Sequence, residues 1–246
     1  MPEPKPRKKQ ADKPKPKGRK VAKSAAASKK ASETPDQRRQ RAAEIARRLK
    51  QSFPNATSAL NWSTPLELLV ATILSAQNSD VNVNRVTPAL FAKYKTASDW
   101  ASVSQEQLQE EVRECGFFRQ KAKAIRATAT ILDAEYGGQV PRTMEQMLEL
   151  PGVARKSANV VLGTAYGVAE GIVVDRHVIR VSGRLGFTTN IQPVKIEKDL
   201  MEIVPREEWI VFGHMLVLHG RATCTARKPN CAGCPINDLC PSAFSF

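Results

Sequence analysis

Four cysteines fall within 17 residues near the end of the chain: Cys224, Cys231, Cys234 and Cys240, spaced C-x6-C-x2-C-x5-C. Thiolates gathered this closely bind zinc or an iron–sulfur cluster. Zinc sites commonly combine two short knuckles set apart from each other, and here only Cys231/Cys234 is such a knuckle. The longer arms can wrap a larger object, which favours a cluster over a single ion, with a disulfide pair the poorest fit. Cys115 stands far away and reads as a buried apolar residue. Arg221, Arg227 and Lys228 surround the ligands. A metal-pinned loop holding Arg227 and Lys228 out suits phosphate contact, or those charges are merely solvated.

A second constellation carries a nucleophile. Leu150-Pro151-Gly152-Val153-Ala154-Arg155-Lys156 lies between two helical patterns. Proline ends the first helix, Gly152 permits a tight turn, and the second helix starts near Ala154. Such a turn points backbone N–H groups at an anion, a cradle for a DNA phosphate that ignores base sequence. Lys156 then occupies the first helical turn, where the positive end of the helix dipole, the adjacent Arg155 and some burial all favour the neutral amine. A neutral lysine amine attacks carbon and forms a Schiff base; a lysine here can also simply touch phosphate. Asp175 tips the balance toward chemistry. It follows Ile172-Val173-Val174 and precedes Arg176-His177-Val178-Ile179 at an apparent helix start, where it can cap the helix and also stabilise positive charge on a sugar whose glycosidic bond is breaking.

The elements that must position these groups are helical. Thr34-Pro35-Asp36-Gln37 supplies an N-cap, a proline at N1 and a glutamine at N3, and Ala42, Ile45, Leu49 and Phe53 follow at helical spacing. Thr64-Pro65-Leu66-Glu67 repeats the device before the stripe Leu66, Leu69, Val70, Ile73 and Leu74. Asp80, Ser104 and Thr143 suit the caps of further helices. Arg119 to Tyr136 reads as a long helix stopped by Gly137-Gly138, and further helices are expected over about 154–166, 176–185, 194–203 and 207–219. Gly171-Ile172-Val173-Val174 is apolar but too short to establish a sheet. The expected class is all-α.

Charge bounds the partners. The 246 residues carry a formal +14. Residues 1–32 hold 12 Lys/Arg against Glu3 and Asp12, leaving the rest of the chain mildly basic. With almost nothing large and apolar, 1–33 reads as a disordered basic tail, serving solubility or tethering DNA. A polycation suits a polyphosphate or an anionic membrane surface. No apolar run approaches the ~18 residues of a membrane span, and no apolar segment near the start suggests secretion. A cytoplasmic protein is expected, nucleoid-associated if bacterial, with no membrane partner.

Together, Leu74-Ser75-Ala76-Gln77, Leu150 to Lys156, Val174-Asp175-Arg176-His177 and the four spaced cysteines resemble the endonuclease III family of the helix-hairpin-helix glycosylase superfamily, over about residues 36–240. The resemblance implies two helical lobes flanking a DNA-binding cleft. A six-helix barrel with the helix-hairpin-helix would span 58–168; 34–57 and 169–246 would form a lobe holding a [4Fe-4S] cluster on the four cysteines. It implies a monomeric base-excision-repair glycosylase with AP lyase activity, removing oxidised pyrimidines from double-stranded DNA and acting on abasic sites. Lys156 would be the nucleophile and Asp175 the essential carboxylate, with Gln77 and Phe117 entering the duplex where a nucleotide is extruded. An aromatic wedge at Phe117 would refill the gap, Phe118 would be core, and Arg119 and Lys121 would grip the backbone beside Gly152, Ala154, Arg155, Arg227 and Lys228. His177, His214 and His219 are read as packing residues or supports behind the site.

Two positions depart from the family. Ala154 replaces a glycine, costing of order 1 kcal/mol if that residue needs a positive φ, and Arg176 replaces a threonine beside the carboxylate. Two rivals remain. A single-step mismatch-adenine glycosylase of the same superfamily resembles this chain in its cysteines but lacks the hairpin lysine. A DNA-binding or redox-sensing protein with a dead site would not need both Lys156 and Asp175.

Overall fold

In the computed structural model, residues 33–245 are described; the basic tail 1–33 lies outside them but for Glu33. The described residues form eleven α-helices and three short 3-10 turns, with no strand. The helices are α1 (Pro35–Ser52), α2 (Pro65–Ser75), α3 (Asp80–Lys93), α4 (Ala97–Ser102), α5 (Gln105–Glu111), α6 (Phe118–Glu135), α7 (Met144–Glu149), α8 (Arg155–Tyr166), α9 (Arg176–Arg184), α10 (Pro193–Met201) and α11 (Trp209–Ala222).

Side-chain hydroxyls start most of the early helices. At α1 the Thr34 hydroxyl accepts from the Gln37 amide at 3.2 Å while Gln37 Oε1 accepts from the Thr34 amide at 2.9 Å, two orphan donors satisfied reciprocally. Thr64, Thr96, Ser104 and Thr143 cap α2, α4, α5 and α7 through their hydroxyls. One expected cap is displaced by a residue. Ser79, not Asp80, caps α3, its hydroxyl accepting from the Asn82 amide. Asp80 sits at N1, where its charge suits the dipole, and accepts from Arg221 Nη2 at 2.7 Å, an ion pair joining α3 to α11.

The buried apolar residues divide into two cores. The first is built from α2 to α8 around Leu68, Leu74, Trp100, Leu108, Leu132 and Met147. The second joins α1 to α9, α10 and α11 around Ile45, Leu49, Phe187, Phe212 and Met215. Full burial of a Leu, Ile, Phe or Met side chain stabilises by about 1.5–3 kcal/mol, so α1, whose outer face is charged, is held by its Ala42–Ile45–Leu49 stripe against α11. Between the cores runs the extended segment 171–175. Ile172 and Val174 enter the second core and Val173 the first: alternation of an extended chain, used across a boundary instead of in a sheet.

Candidate active site

The turn between α7 and α8 is what its sequence requires. Gly152 has φ +79°, and a Cβ there would lie 2.8 Å from that of Ala124 on α6, so both backbone and space call for glycine. Ala154 is the N-cap of α8 at φ −101°, ψ 167°. That is ordinary extended backbone, so alanine carries no conformational penalty. It also supplies no side-chain cap, which leaves the first amides of α8 open to an external acceptor.

Arg155 does not reach outward, contrary to the expected DNA contact. Its Nε donates to Glu197 Oε2 at 2.7 Å and its Nη2 to the Glu170 carbonyl at 3.4 Å. Glu197, only 4% exposed, also accepts from Asn159 Nδ2 at 2.8 Å. A buried carboxylate needs a cation, and among the described residues Arg155 is the one paired with it; the pairing raises the guanidinium's pKa further. Arg155 thus locks α8 to α10 and turns the next residue, Lys156, to the surface. Lys156 is exposed, so the partial burial expected for it is absent and any desolvation must come from a bound molecule.

Asp175 is the N-cap of α9. Its Oδ1 accepts from the amides of His177 at 2.7 Å and Val178 at 2.9 Å, leaving Oδ2 outside the cap. The segment before it is pinned from behind. A Cβ on Gly213 of α11 would lie 3.1 Å from the Val173 nitrogen and 3.2 Å from its oxygen, so glycine lets the helix touch the extended backbone.

Lys156 and Asp175 line one pocket, closed by Gln77, Ser157, Val173 and His214 and holding about 240 Å³, room for one small ring system. It is mixed in polarity and open to solvent, as a site that admits an extruded group should be. Burial lowers His214 and His219 to about 4 and shifts His177 in the same direction; these are the chain's three histidines, neutral and packed as expected. The unfolded chain therefore binds protons first as pH falls below 6.5, and stability is lost from there down to about 4. For His214 alone the difference is about 3 kcal/mol. Thermal melting should fall between pH 7 and 5, and less steeply in His214→Gln; equal slopes would remove His214 from the account.

Gln77 and Phe117 share an unusual backbone. Among the described residues only these two and Phe244 are non-glycine residues at positive φ, Gln77 at +54° and Phe117 at +47°. Such strain is found where surroundings impose it, often at functional sites. Gln77 is exposed on the pocket rim and Phe117 is 61% exposed, whereas Phe118 packs against the first core under Arg119. Arg119 is exposed, as a backbone contact requires. Lys121 is not: it is 5% exposed, and its Nζ donates to the Leu74 carbonyl at 2.8 Å and to that of Cys115. The expected grip on DNA by Lys121 is therefore corrected. Its place on the buried face of α6 follows from the helix period, with Ala122 and Ile125 inside beside it. Cys115 is buried as expected.

The other four cysteines are free thiols lining a single pocket with Val181, Leu185 and His219, which removes the disulfide reading. Among the described residues no three His, Cys, Asp or Glu groups sit closely enough for one metal ion, yet all four thiols ring the same space. An object with several metal atoms fits a donor set of four thiols around one space. Arg184 Nη1 lies 3.2 Å from Cys224 Sγ and His219 Nε2 3.7 Å from Cys234 Sγ, donors suited to thiolate sulfur. Burial pushes the Cys234 and Cys240 thiols up, so bound metal must supply the charge that holds them as thiolates. Arg227 and Lys228 are exposed on the loop, with no carboxylate partner among the described residues.

One group escaped sequence reasoning. Arg176, Arg180 and Arg221 line a broad recess beside the pocket with His177 and Asp80. The i, i+4 spacing of Arg176 and Arg180 was a usable signal, but the third member comes from α11. No helix among the described residues is long and apolar enough to cross a membrane.

Comparison with known proteins places this geometry. Residues 70–206 match the HhH-GPD superfamily of base excision DNA repair proteins, and residues 224–240 the iron–sulfur binding domain of endonuclease III. The chain is similar to endonuclease III of Synechocystis sp., 49% identical over 206 residues, 84% of this chain and 94% of that one. It is 47% identical to endonuclease III of Bacillus subtilis over 189 residues, 76% and 86% of the two chains. A solved structure of a trapped endonuclease III–DNA covalent intermediate superposes with a TM-score of 0.79 at 41% identity, covering 84% of this chain and 97% of that one.

Proposed function

The chain belongs to the endonuclease III family of helix-hairpin-helix base-excision DNA repair proteins, and from that premise we propose that it removes oxidised pyrimidines from duplex DNA and then cleaves the strand through Lys156 and Asp175. The observation that carries the reading is that an exposed amine and a capped carboxylate, 19 residues apart on different elements, line one pocket of the size of a base.

The lesion nucleotide leaves the stack and enters this pocket while Gln77 and Phe117 fill the space it vacates. Lys156 Nζ attacks C1′ of the sugar, and the bond to the base breaks with its electron pair leaving on the base. Asp175, held in direction by the α9 amides, opposes the positive charge that grows on the sugar and accepts the proton the amine must lose. The sugar ring opens to a Schiff base at C1′. Loss of a C2′ proton then expels the 3′ phosphate oxygen, which cuts the strand on the 3′ side of the lesion.

The open amides of α8 after Gly152 and Ala154, with Arg119, Arg227 and Lys228, hold the phosphate backbone in a register that carries no sequence information. A [4Fe-4S] cluster is the cofactor. We assign Cys224, Cys231, Cys234 and Cys240 as its ligands; bound there it supplies the cross-link that pins the loop carrying Arg227 and Lys228. The lobes run over 58–168 and over 34–57 with 169–246, and the protein acts as a monomer, in a bacterium on the nucleoid.

Borohydride trapping tests the reading. Duplexes carrying thymine glycol, uracil, or 8-oxoguanine opposite adenine are incubated with the purified protein and reductant. A covalent adduct on thymine glycol alone is expected. Base release with no adduct on any duplex would overturn it in favour of a single-step glycosylase, and an adduct confined to another lesion would overturn the substrate assignment.

A further inference from the structure

The amine of Lys121 is buried, yet neither the pocket nor the cysteine site uses it. Among the described residues no carboxylate pairs with it. A methionine of nearly the same shape would be cheaper to bury, so packing alone does not account for a lysine here. What it touches does. The Leu74 carbonyl lies three residues before Gln77, and the Cys115 carbonyl two residues before Phe117. Each of these short segments then turns through a left-handed residue that presents its side chain to solvent.

We propose that Lys121 is a positioning residue, tying the loop of Gln77 to the loop of Phe117 so that both side chains are held ready for the duplex. This rests on the assignment of Gln77 and Phe117 as the residues that enter DNA. A left-handed non-glycine residue persists only where its surroundings over-determine it, and the tie supplies that constraint to both loops at once. A second bridge joins the same pair: Asn82 Nδ2 donates to Asn78 Oδ1 at 3.2 Å and to the Glu114 carbonyl at 2.8 Å. Burial lowers the Lys121 pKa, and the tie survives loss of a proton, since a neutral amine still has two N–H groups for two carbonyls. Cutting it leaves Lys156, Asp175 and their pocket in place while the wedge loops sample other conformations.

The test compares two substrates with the full-length protein. Lys121→Met is assayed in single turnover on a thymine glycol–adenine pair, which must be unstacked, and on a preformed abasic site, which has no base to extrude. Excision should fall about 30-fold and abasic-site cleavage by no more than about 3-fold, since extrusion carries the unstacking cost. A 2-aminopurine beside the lesion should lose most of its fluorescence rise. Parallel loss on both substrates, or no loss on either, overturns the tie. Should Lys121→Met not fold, Lys121→Leu, which also lacks any donor for the two carbonyls, carries the same ratio. Phe117→Ala separates the two levels. If it leaves excision intact, the wedge assignment itself fails; if it slows excision while Lys121→Met does not, only the tie fails.

Discussion

Lys156→Ala should abolish borohydride trapping and slow strand cleavage by roughly 10⁴-fold or more, the scale seen when a covalent nucleophile is removed. A Schiff base needs a primary amine, and among the described residues Lys156 is the one lysine lining the pocket; the other cation there, Arg221, is engaged with Asp80. None of the other described residues lining the pocket can replace it. The substitution is also mild for the fold. Lys156 is exposed in the first turn of α8, alanine is the best helix former, and one cation fewer near the dipole's positive end is slightly favourable. The melting temperature should therefore stay within a degree or two, and DNA affinity should drop by less than about tenfold, as for one phosphate-range charge. Persisting adducts in the variant would move the nucleophile elsewhere.

Asp175→Asn should slow base excision by about 10²–10³-fold, the usual consequence of removing one preorganised electrostatic group, with little change in stability. The choice of asparagine matters because Asp175 has two tasks. Its Oδ1 accepts the His177 and Val178 amides, and asparagine caps a helix about as well as aspartate. Asparagine therefore removes the negative charge and keeps the cap. Alanine would remove both and lose about 1 kcal/mol of stability besides, mixing the two effects. Circular dichroism and single-turnover excision on one preparation decide the matter. An Asn variant within about threefold of the parent would show a residue that only caps.

How far the chain could be read before its structure depended on range. Local chemistry was legible: hydroxyl caps at Thr34, Thr64, Ser104 and Thr143, the Gly137-Gly138 stop, and the boundaries of α8 and α9 follow from neighbours within four residues. The Ser79/Asp80 pair misled by one position because both residue types cap well. The short α4 and α5 carry too few turns for an apolar period to show. The destinations of cations were not legible. Arg155 and Lys121 sit in basic stretches that look exposed, and only the placement of Glu197 and of the Leu74 and Cys115 carbonyls draws them inward. Nor could the left-handed turns of Gln77 and Phe117 be foreseen, since neither residue type favours them. Lys156 and Asp175 were legible as candidates because their chemistry is carried by residue type at helix starts, while the pocket that both line is a product of tertiary contacts.

The threading of Ile172, Val173 and Val174 into opposite cores has a mechanical corollary. Three consecutive residues serve as a rivet through both halves of a clamp, and the carboxylate of Asp175 is its head. Spreading the halves would have to pull a valine or an isoleucine out of its socket, so the gape is set when the chain folds. If duplex DNA is held across this boundary as proposed, the duplex is expected to bend further than the protein does.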